Sequence, residues 1–414
     1  MNKNIKLAVA GAVLALSASA ANAGIVIPAG EWTIDINGNV NAYMINNSST
    51  KGRTAINGGL AQAPAAAANN ASSINTGLLP SWLGFTGKTR QNDLDVSWTI
   101  SFQPGASSNN NISGGGTSEN RQAALTFGDK SWGSIKLGKD LGVFGSDAIL
   151  NDMTLLGVGS QGIVGAQGGT TTTLGRIGTG YQYADWKGQF AYSTPNFNGF
   201  EATVAIVHPW NATATTAGTS ASTVGTNQNN YGYEGKASYS FAANDVTGKI
   251  WVEGISQRVK NVGGNNQSST AYAGGIGAKL AVSFVELVGY YYDGEGNGTT
   301  GFLRDGFDVN GTKRDSNGGY VQALVTLPTK TKVGVSWGQS NLDATAADIA
   351  AARNIVKENE MWTVGAYHPL TKSLNLVAEY SQVTAKGNAA WEAAAAANRD
   401  NESDIVSVGG ILFF

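Results

Sequence analysis

The chain has 414 residues, 27 basic and 29 acidic, and no cysteine. Without thiols it cannot be a disulfide scaffold, and it cannot build a cysteine-based metal site or nucleophile. Removing Lys3 and Lys6 with the leader described next takes 27 basic residues to 25 against 29 acidic, a net charge of −4, too mild to point to a nucleic-acid partner.

The first 23 residues combine Lys3 and Lys6, an apolar run from Leu7 to about Leu16, and a small-x-small site at Ala21 to Ala23. This is the pattern of a cleaved secretory signal peptide, and the apolar run is too short for a spanning helix of about 20 residues. The expected division is therefore a signal peptide over 1–23 and one domain over 24–414. No later run of 18 apolar residues exists, so helical membrane spans are excluded. Yet 56 Gly, 14 Tyr, 13 Phe and 10 Trp against 8 Pro is an odd mixture for a water-soluble protein.

From residue 32 onward the apolar period is two. Between Asp93 and Phe102, Asp95, Ser97, Thr99 and Ser101 alternate with Leu94, Val96, Trp98, Ile100 and Phe102. Sixteen such segments are predicted: 32–45, 79–88, 93–102, 120–128, 132–140, 181–194, 199–208, 231–241, 246–259, 270–281, 283–293, 317–327, 331–340, 360–368, 373–384 and 403–414. Most have the length a tilted strand needs to cross a bilayer. Their connections alternate. Seven are short, such as "TRQN", "DKS" and "HPLTK"; eight are long and rich in Gly, Asn, Ser, Thr and Ala. A soluble sandwich has no reason to place every long loop at one end. An outer-membrane barrel does, and closure leaves no strand edge open to lipid. The predicted fold is all-β, a transmembrane antiparallel 16-stranded β-barrel with short periplasmic turns and long extracellular loops. Trp32, Trp132, Trp186, Trp251, Trp337, Trp362 and Tyr290 to Tyr292 are expected in the interfacial aromatic girdles. Two long loops carry short helix signals: Thr345 with Asp348 at capping-box spacing, and the Ala-rich run near Trp391.

Several pieces resemble the trimeric general porins of Gram-negative outer membranes. "WLGFTG" (82–87) resembles the family's second strand. "NRQAALTFGDKSWGSIKLGKDLGVFGSDAILNDM" (120–153) resembles its fourth and fifth strands running into the third loop. "LGRIGTGYQY" (174–183), "YSTPNFNGFEATVA" (192–205) and the final Phe fit the same pattern in order and spacing. The resemblance implies a water-filled channel for passive diffusion of ions and small hydrophilic solutes, with a narrower substrate-specific channel as the alternative. It implies a homotrimer in outer-membrane lipid and lipopolysaccharide, no cofactor, and a third loop folded into the bore, its carboxylates opposite arginines on the wall. The matching positions are Arg121 on the fourth strand, Arg176 on the wall after the third loop, and Asp147 and Asp152 on that loop. Lys136 falls on the polar parity of its strand, and across the barrel Lys249, Glu253, Glu286, Lys332 and Glu379 fall on lumen parity. Trp82 stands where the family carries an arginine, and the loop tip from Leu155 lacks a second carboxylate; both departures point to a weaker transverse field and a less polar constriction. Phe414 and the stripe Leu412, Gly410, Val408 and Val406 resemble the signal that the barrel-assembly machinery reads; Leu412 stands where an aromatic is frequent.

Enzyme chemistry has little to stand on. Only His208 and His368 could serve as a histidine base, and each precedes a proline at a strand end. "DGEGNGTTGFLR" places Asp293, Glu295, Asn297 and Gly298 at calcium-loop offsets, but Arg304 takes the place of the final bidentate carboxylate. Neither a catalytic residue nor a metal ligand is therefore assigned.

Overall fold

The computed structural model describes residues 24–51, 54–61, 70–106, 118–161, 172–215, 221–225, 230–260, 262–264, 268–395 and 400–414. The expected signal peptide lies outside them. Sixteen strands form the wall: β1 (Trp32–Lys51), β2 (Trp82–Gln91), β3 (Leu94–Pro104), β4 (Ser118–Asp129), β5 (Gly133–Leu141), β6 (Trp186–Ser193), β7 (Phe200–Val207), β8 (Gly232–Ala243), β9 (Val246–Lys260), β10 (Ser268–Val282), β11 (Val285–Glu295), β12 (Asp315–Thr326), β13 (Lys332–Leu342), β14 (Val356–Pro369), β15 (Leu374–Gly387) and β16 (Asp400–Phe413). Each pairs antiparallel with the next, and β16 returns to β1 with Phe413 opposite Asn39 and Glu402 opposite Lys51. The ring is closed.

Alternation explains why this sheet closes in a membrane. Val40, Met44, Ile250, Val252, Ile276, Val406 and Val408 stand exposed on the outer face, while Asn39, Asn41, Ser101, Gln103, Gln189 and Ser336 are buried inside. Apolar out and polar in is the reverse of a water-soluble barrel, and it suits hydrocarbon outside and a polar bore within. Seven short turns mark one end of the barrel. In the first, Asn92 and Asp93 both take positive φ (49° and 62°), the primed-turn geometry that matches strand twist.

Two short strands missed in the sequence complete the seam. Ile25–Ala29 folds back on β1, Ile25 opposite Ile36 and Ala29 opposite Trp32. It continues the edge of β1 that β16 covers only from Asn39 upward, so the start of β1 is not left unpaired. On the other edge β2 pairs with Thr33 to Asn39, and Asn70–Asn75 takes over from Tyr43 to Ser48. Phe414 exchanges backbone hydrogen bonds with Gly38, N–H to carbonyl at 3.0 Å and carbonyl to N–H at 2.9 Å.

The girdle expectation needs correction. Trp337 and Tyr291 face outward, but Trp251, Tyr290 and Tyr292 are almost wholly buried inside the barrel. Trp251 and Tyr290 stack with centroids 6.3 Å apart, and Tyr290 continues to Tyr292 and Tyr320. Their parity is that of Glu253, which also points inward. An aromatic at mid-strand obeys parity before it obeys membrane depth. Gly277, opposite Trp251 and Tyr290, leaves room for the rings: a Cβ there would lie 2.1 Å from the Trp251 indole.

The helix signals hold. The helix α2 (Ala346–Ala350) has Thr345 and Asp348 in a reciprocal capping box, and Asp348 also pairs with the buried Arg314 at 2.8 Å. Ala389–Ala395 is the second predicted helix. No helix among the described residues is long and apolar enough to cross a membrane.

Candidate functional site

The connection from β5 to β6 turns into the barrel, as the resemblance implied for the third loop. Its outgoing arm starts at Gly142, forms the short helix α1 (Ser146–Asn151) and a 3-10 turn (Met153–Leu156), and follows the inner wall. Wall side chains hold its backbone. One oxygen of Glu234 (β8) accepts from Val143 N–H at 2.6 Å and Phe144 N–H at 2.9 Å; the other meets Lys187 Nζ at 2.6 Å in an ion pair with side chains 0% and 2% exposed. Glu253 (β9) accepts from Gly145 N–H at 2.9 Å. Tyr320 (β12) donates to Ala148 carbonyl at 2.7 Å, and Gln322 brackets Asn151 and Met153 with one donated and one accepted bond. At the far end Glu379 (β15) accepts from Val158 N–H at 2.7 Å, Gly159 N–H at 2.9 Å and Tyr367 hydroxyl at 2.6 Å. The approach at Gly157 is so close that a Cβ would sit 2.0 Å from a Glu379 oxygen.

A carboxylate accepting backbone N–H groups forms charge-assisted bonds, about twice as strong as neutral ones. Three glutamates, on β8, β9 and β15, accept loop N–H groups and set the course of the loop. The loop therefore lies against β8–β15 and leaves β2–β6 comparatively bare.

The expected ionic constriction is only partly assembled. Asp147 does come from the inward loop, but its partners are lysines: Lys236 Nζ lies 2.8 Å from one carboxylate oxygen, and Lys249 contacts the other. Burial alone would raise the Asp147 pKa; the two ammonium groups draw it below the ordinary value. Among the described residues Asp152 faces no arginine within ion-pair distance. It caps the 3-10 turn, accepting from Thr154 N–H and hydroxyl at 2.9 and 2.7 Å, and from Tyr181 hydroxyl at 2.9 Å.

Arg176 is not a wall residue. The predicted strand from 181 begins only at Trp186, and 172–185 is the returning arm of the loop inside the barrel. Arg176 is fully buried, donates to Met361 carbonyl at 2.9 Å, and lies near the face of Tyr320. Burial draws its pKa below the usual guanidinium value. It has no carboxylate in ion-pair range among the described residues and faces no open bore.

Arg121 is placed differently. A bulge shifts the β3–β4 register between Ser101 and Phe102, so Gln122 faces Ser101 while Asn120 faces Phe102. Arg121 is the extra residue, and the bulge re-aims it into the lumen. It donates to Gln103 Oε1 at 2.8 Å and lies 4.1 Å over the Trp186 ring. Between it and the loop is a cleft of about 280 Å³, bordered on the wall by Trp82, Gln103, Arg121, Trp186 and Phe413, and on the loop by Ile149, Leu150, Leu155, Leu174 and Ile177. Lys136 points into the same half of the barrel and pairs with Asp140 at 2.5 Å. Toward the short-turn end of this wall is a larger hollow of about 880 Å³, lined in part by Thr33, Lys88, Ser97, Thr126 and Ser134.

Glu253, Glu379 and Lys249 lie in the lumen, as strand parity predicts. Parity does not reveal that the carboxylates hold loop backbone, and Glu234, Lys187 and Lys236 join them there without having been singled out in the sequence. The same parity rule would have included them, since all three alternate with outward apolar residues.

A closed 16-stranded barrel with apolar exterior, polar interior and a loop folded into the bore is an outer-membrane channel. The family model of the Gram-negative porins matches residues 9–388, and the chain belongs to that family. Its function is passive diffusion of small solutes across the outer membrane; family and fold point to a channel rather than an enzyme. Similar solved structures include the outer membrane channel DcaP of Acinetobacter baumannii (13% identity, 95% of this chain and 100% of that one, TM-score 0.65) and an anion-selective porin from Comamonas acidovorans (15%, 93% and 100%, 0.60). Salmonella typhi OmpF in complex with daunomycin also aligns (14%, 94% and 100%, 0.58). Among curated protein sequences none matches this one.

Proposed function

We propose that this porin is a narrow channel whose solutes pass between the third loop and the β2–β6 wall, with the Arg121 cleft as its constriction. The observation that carries the reading is the one-sided course of the loop, bonded to β8, β9, β12 and β15 and leaving about 280 Å³ beside β2–β6. Pore selectivity comes from bore and lining charge. Here the lining offers one guanidinium, while Asp147 and Asp152 are engaged by Lys236, Lys249, Thr154 and Tyr181, and Arg176 is buried away from the bore. Liposome swelling with a graded set of neutral sugars tests the bore. Entry of monosaccharides with a steep fall at disaccharides is expected; trisaccharide entry at the monosaccharide rate contradicts a narrow passage.

The working unit in this reading is a homotrimer, exported by a cleaved leader over 1–23 and seated in lipid and lipopolysaccharide. Val40 and Ala42 present small or apolar side chains outward on β1, a face suited to protein packing. The last strand directs Leu412 outward and Phe413 inward, which supports Phe414 and Leu412, not Phe413, as the residues read by the assembly machinery. Native gels in mild detergent should show one band at three times the monomer mass that collapses on boiling; a monomer alone contradicts the assembly.

A further inference from the structure

The cleft beside Arg121 has chemistry that a simple ion filter does not need. One bank is a guanidinium. A guanidinium has five N–H donors, and the structure uses one of them, on Gln103. No carboxylate lies in ion-pair range of Arg121 among the described residues. Its plane is fixed by the Trp186 ring, 4.1 Å away, so its donors are held in a set direction and not free to sweep the lumen. The opposite bank is apolar. Leu150 is 36% exposed there, beside Ile149 and Leu155, and the Trp82 ring adds apolar surface on the wall side. Three other polar side chains of the cleft are engaged: Gln122 donates to Asp140, Thr172 to the carbonyls of Gly77 and Leu78, and Thr173 to the carbonyl of Val158.

A planar fork of donors matches a carboxylate through two parallel bonds. Exposed leucine and indole surface favours an apolar body on the same solute, because its contact removes both surfaces from water. A second carboxylate on the far end of that body would meet the side chains of Leu150 and Leu155, which offer no donor. We propose that the Arg121 cleft is a transit site for organic monocarboxylates that carry a ring or a short apolar chain. This rests on the reading of the cleft as the constriction.

Reconstituted trimer in a planar bilayer tests it, with potassium chloride on one side and potassium acetate, benzoate or terephthalate on the other. Reversal potentials give each anion's permeability. Benzoate should exceed acetate by about threefold despite its size, the scale of one aromatic contact, and should also exceed terephthalate. Arg121→Gln should lower all three anions relative to potassium. Leu150→Gln removes apolar surface from the cleft and should abolish the benzoate advantage over acetate measured in the same channel. Chloride current with benzoate behind acetate overturns this inference alone, as does a benzoate advantage that survives Leu150→Gln. Absence of any chloride current overturns both this inference and the channel reading.

Discussion

The two sides of this lumen are built by opposite rules. On the β8–β15 side polar side chains are spent on the third loop: Glu234, Glu253, Gln322 and Glu379 hold its backbone, Asp147 sits between Lys236 and Lys249, and the Trp251–Tyr290–Tyr320 rings pack beneath it. On the β2–β6 side Arg121 faces a cleft, with the hollow lined by Lys88 and Ser97 toward the short turns. Two arginines make the contrast sharpest. Arg176 is 0% exposed and bonded to a carbonyl of β14, whereas Arg121 sits on a bulge beside open space. Residue type does not separate a structural charge from a functional one; what the guanidinium faces does.

The contrast can be broken on the packed side first. Glu234→Ala strands Lys187 as a buried, unpaired ammonium and frees two loop N–H groups. Breaking a buried pair from one side costs about 3–5 kcal/mol, so heat-modifiable migration should shift to a markedly lower temperature; an unchanged transition contradicts the anchoring role. Glu379→Ala comes next. Loss of its charge-assisted bonds should cost about 2–3 kcal/mol and loosen the 157–159 end, seen as noisier and larger single-channel currents. Gly157→Ala should mimic it, because the added methyl cannot fit against Glu379.

Smaller effects sharpen the comparison. Arg176→Met removes a buried guanidinium whose Nε and Nη2 have no hydrogen-bond partner. Replacing a buried charge by an apolar side chain of similar size is frequently near neutral; a stability change within about 1–2 kcal/mol and an unaltered reversal potential are expected. The smallest effect concerns Asp147. Its carboxyl lies below its ordinary value of about 3.9. The sign follows: the ionised form is favoured by the folded state, the contribution is full above that ordinary value, and it is lost as pH falls through the lower folded value. Thermal stability should therefore drop below about pH 4, and Asp147→Asn should flatten that part of the profile.

The barrel was readable because period-two alternation and alternating loop lengths are properties of the chain itself. All sixteen predicted segments are strands, with ends mostly within a few residues. The exceptions have physical reasons. The strand expected from 181 starts at Trp186 because 172–185 is engaged with β13 and β14 inside the barrel, where Gly180 N–H reaches Ser340 and Arg176 reaches Met361. Ile25–Ala29 and Asn70–Asn75 exist to cover edges of β1 that only the closed ring reveals. The candidate site was less legible. Parity put Glu253 and Glu379 in the lumen but could not say that they accept loop N–H groups from residues 108 and 221 positions away. Nor could strand parity foresee that a one-residue bulge turns Arg121 inward.

The central claim is that the side of the lumen lined by Arg121, not the side holding Arg176, sets what passes. The reversal potential of the reconstituted protein in a tenfold potassium chloride gradient, for wild type and for Arg121→Gln and Arg176→Met, tests it most directly. The account predicts a shift toward cations in Arg121→Gln alone, shrinking as salt rises and the Debye length falls from about 10 Å at 0.1 M to about 3 Å at 1 M. A shift confined to Arg176→Met, or no shift in either variant, would contradict it.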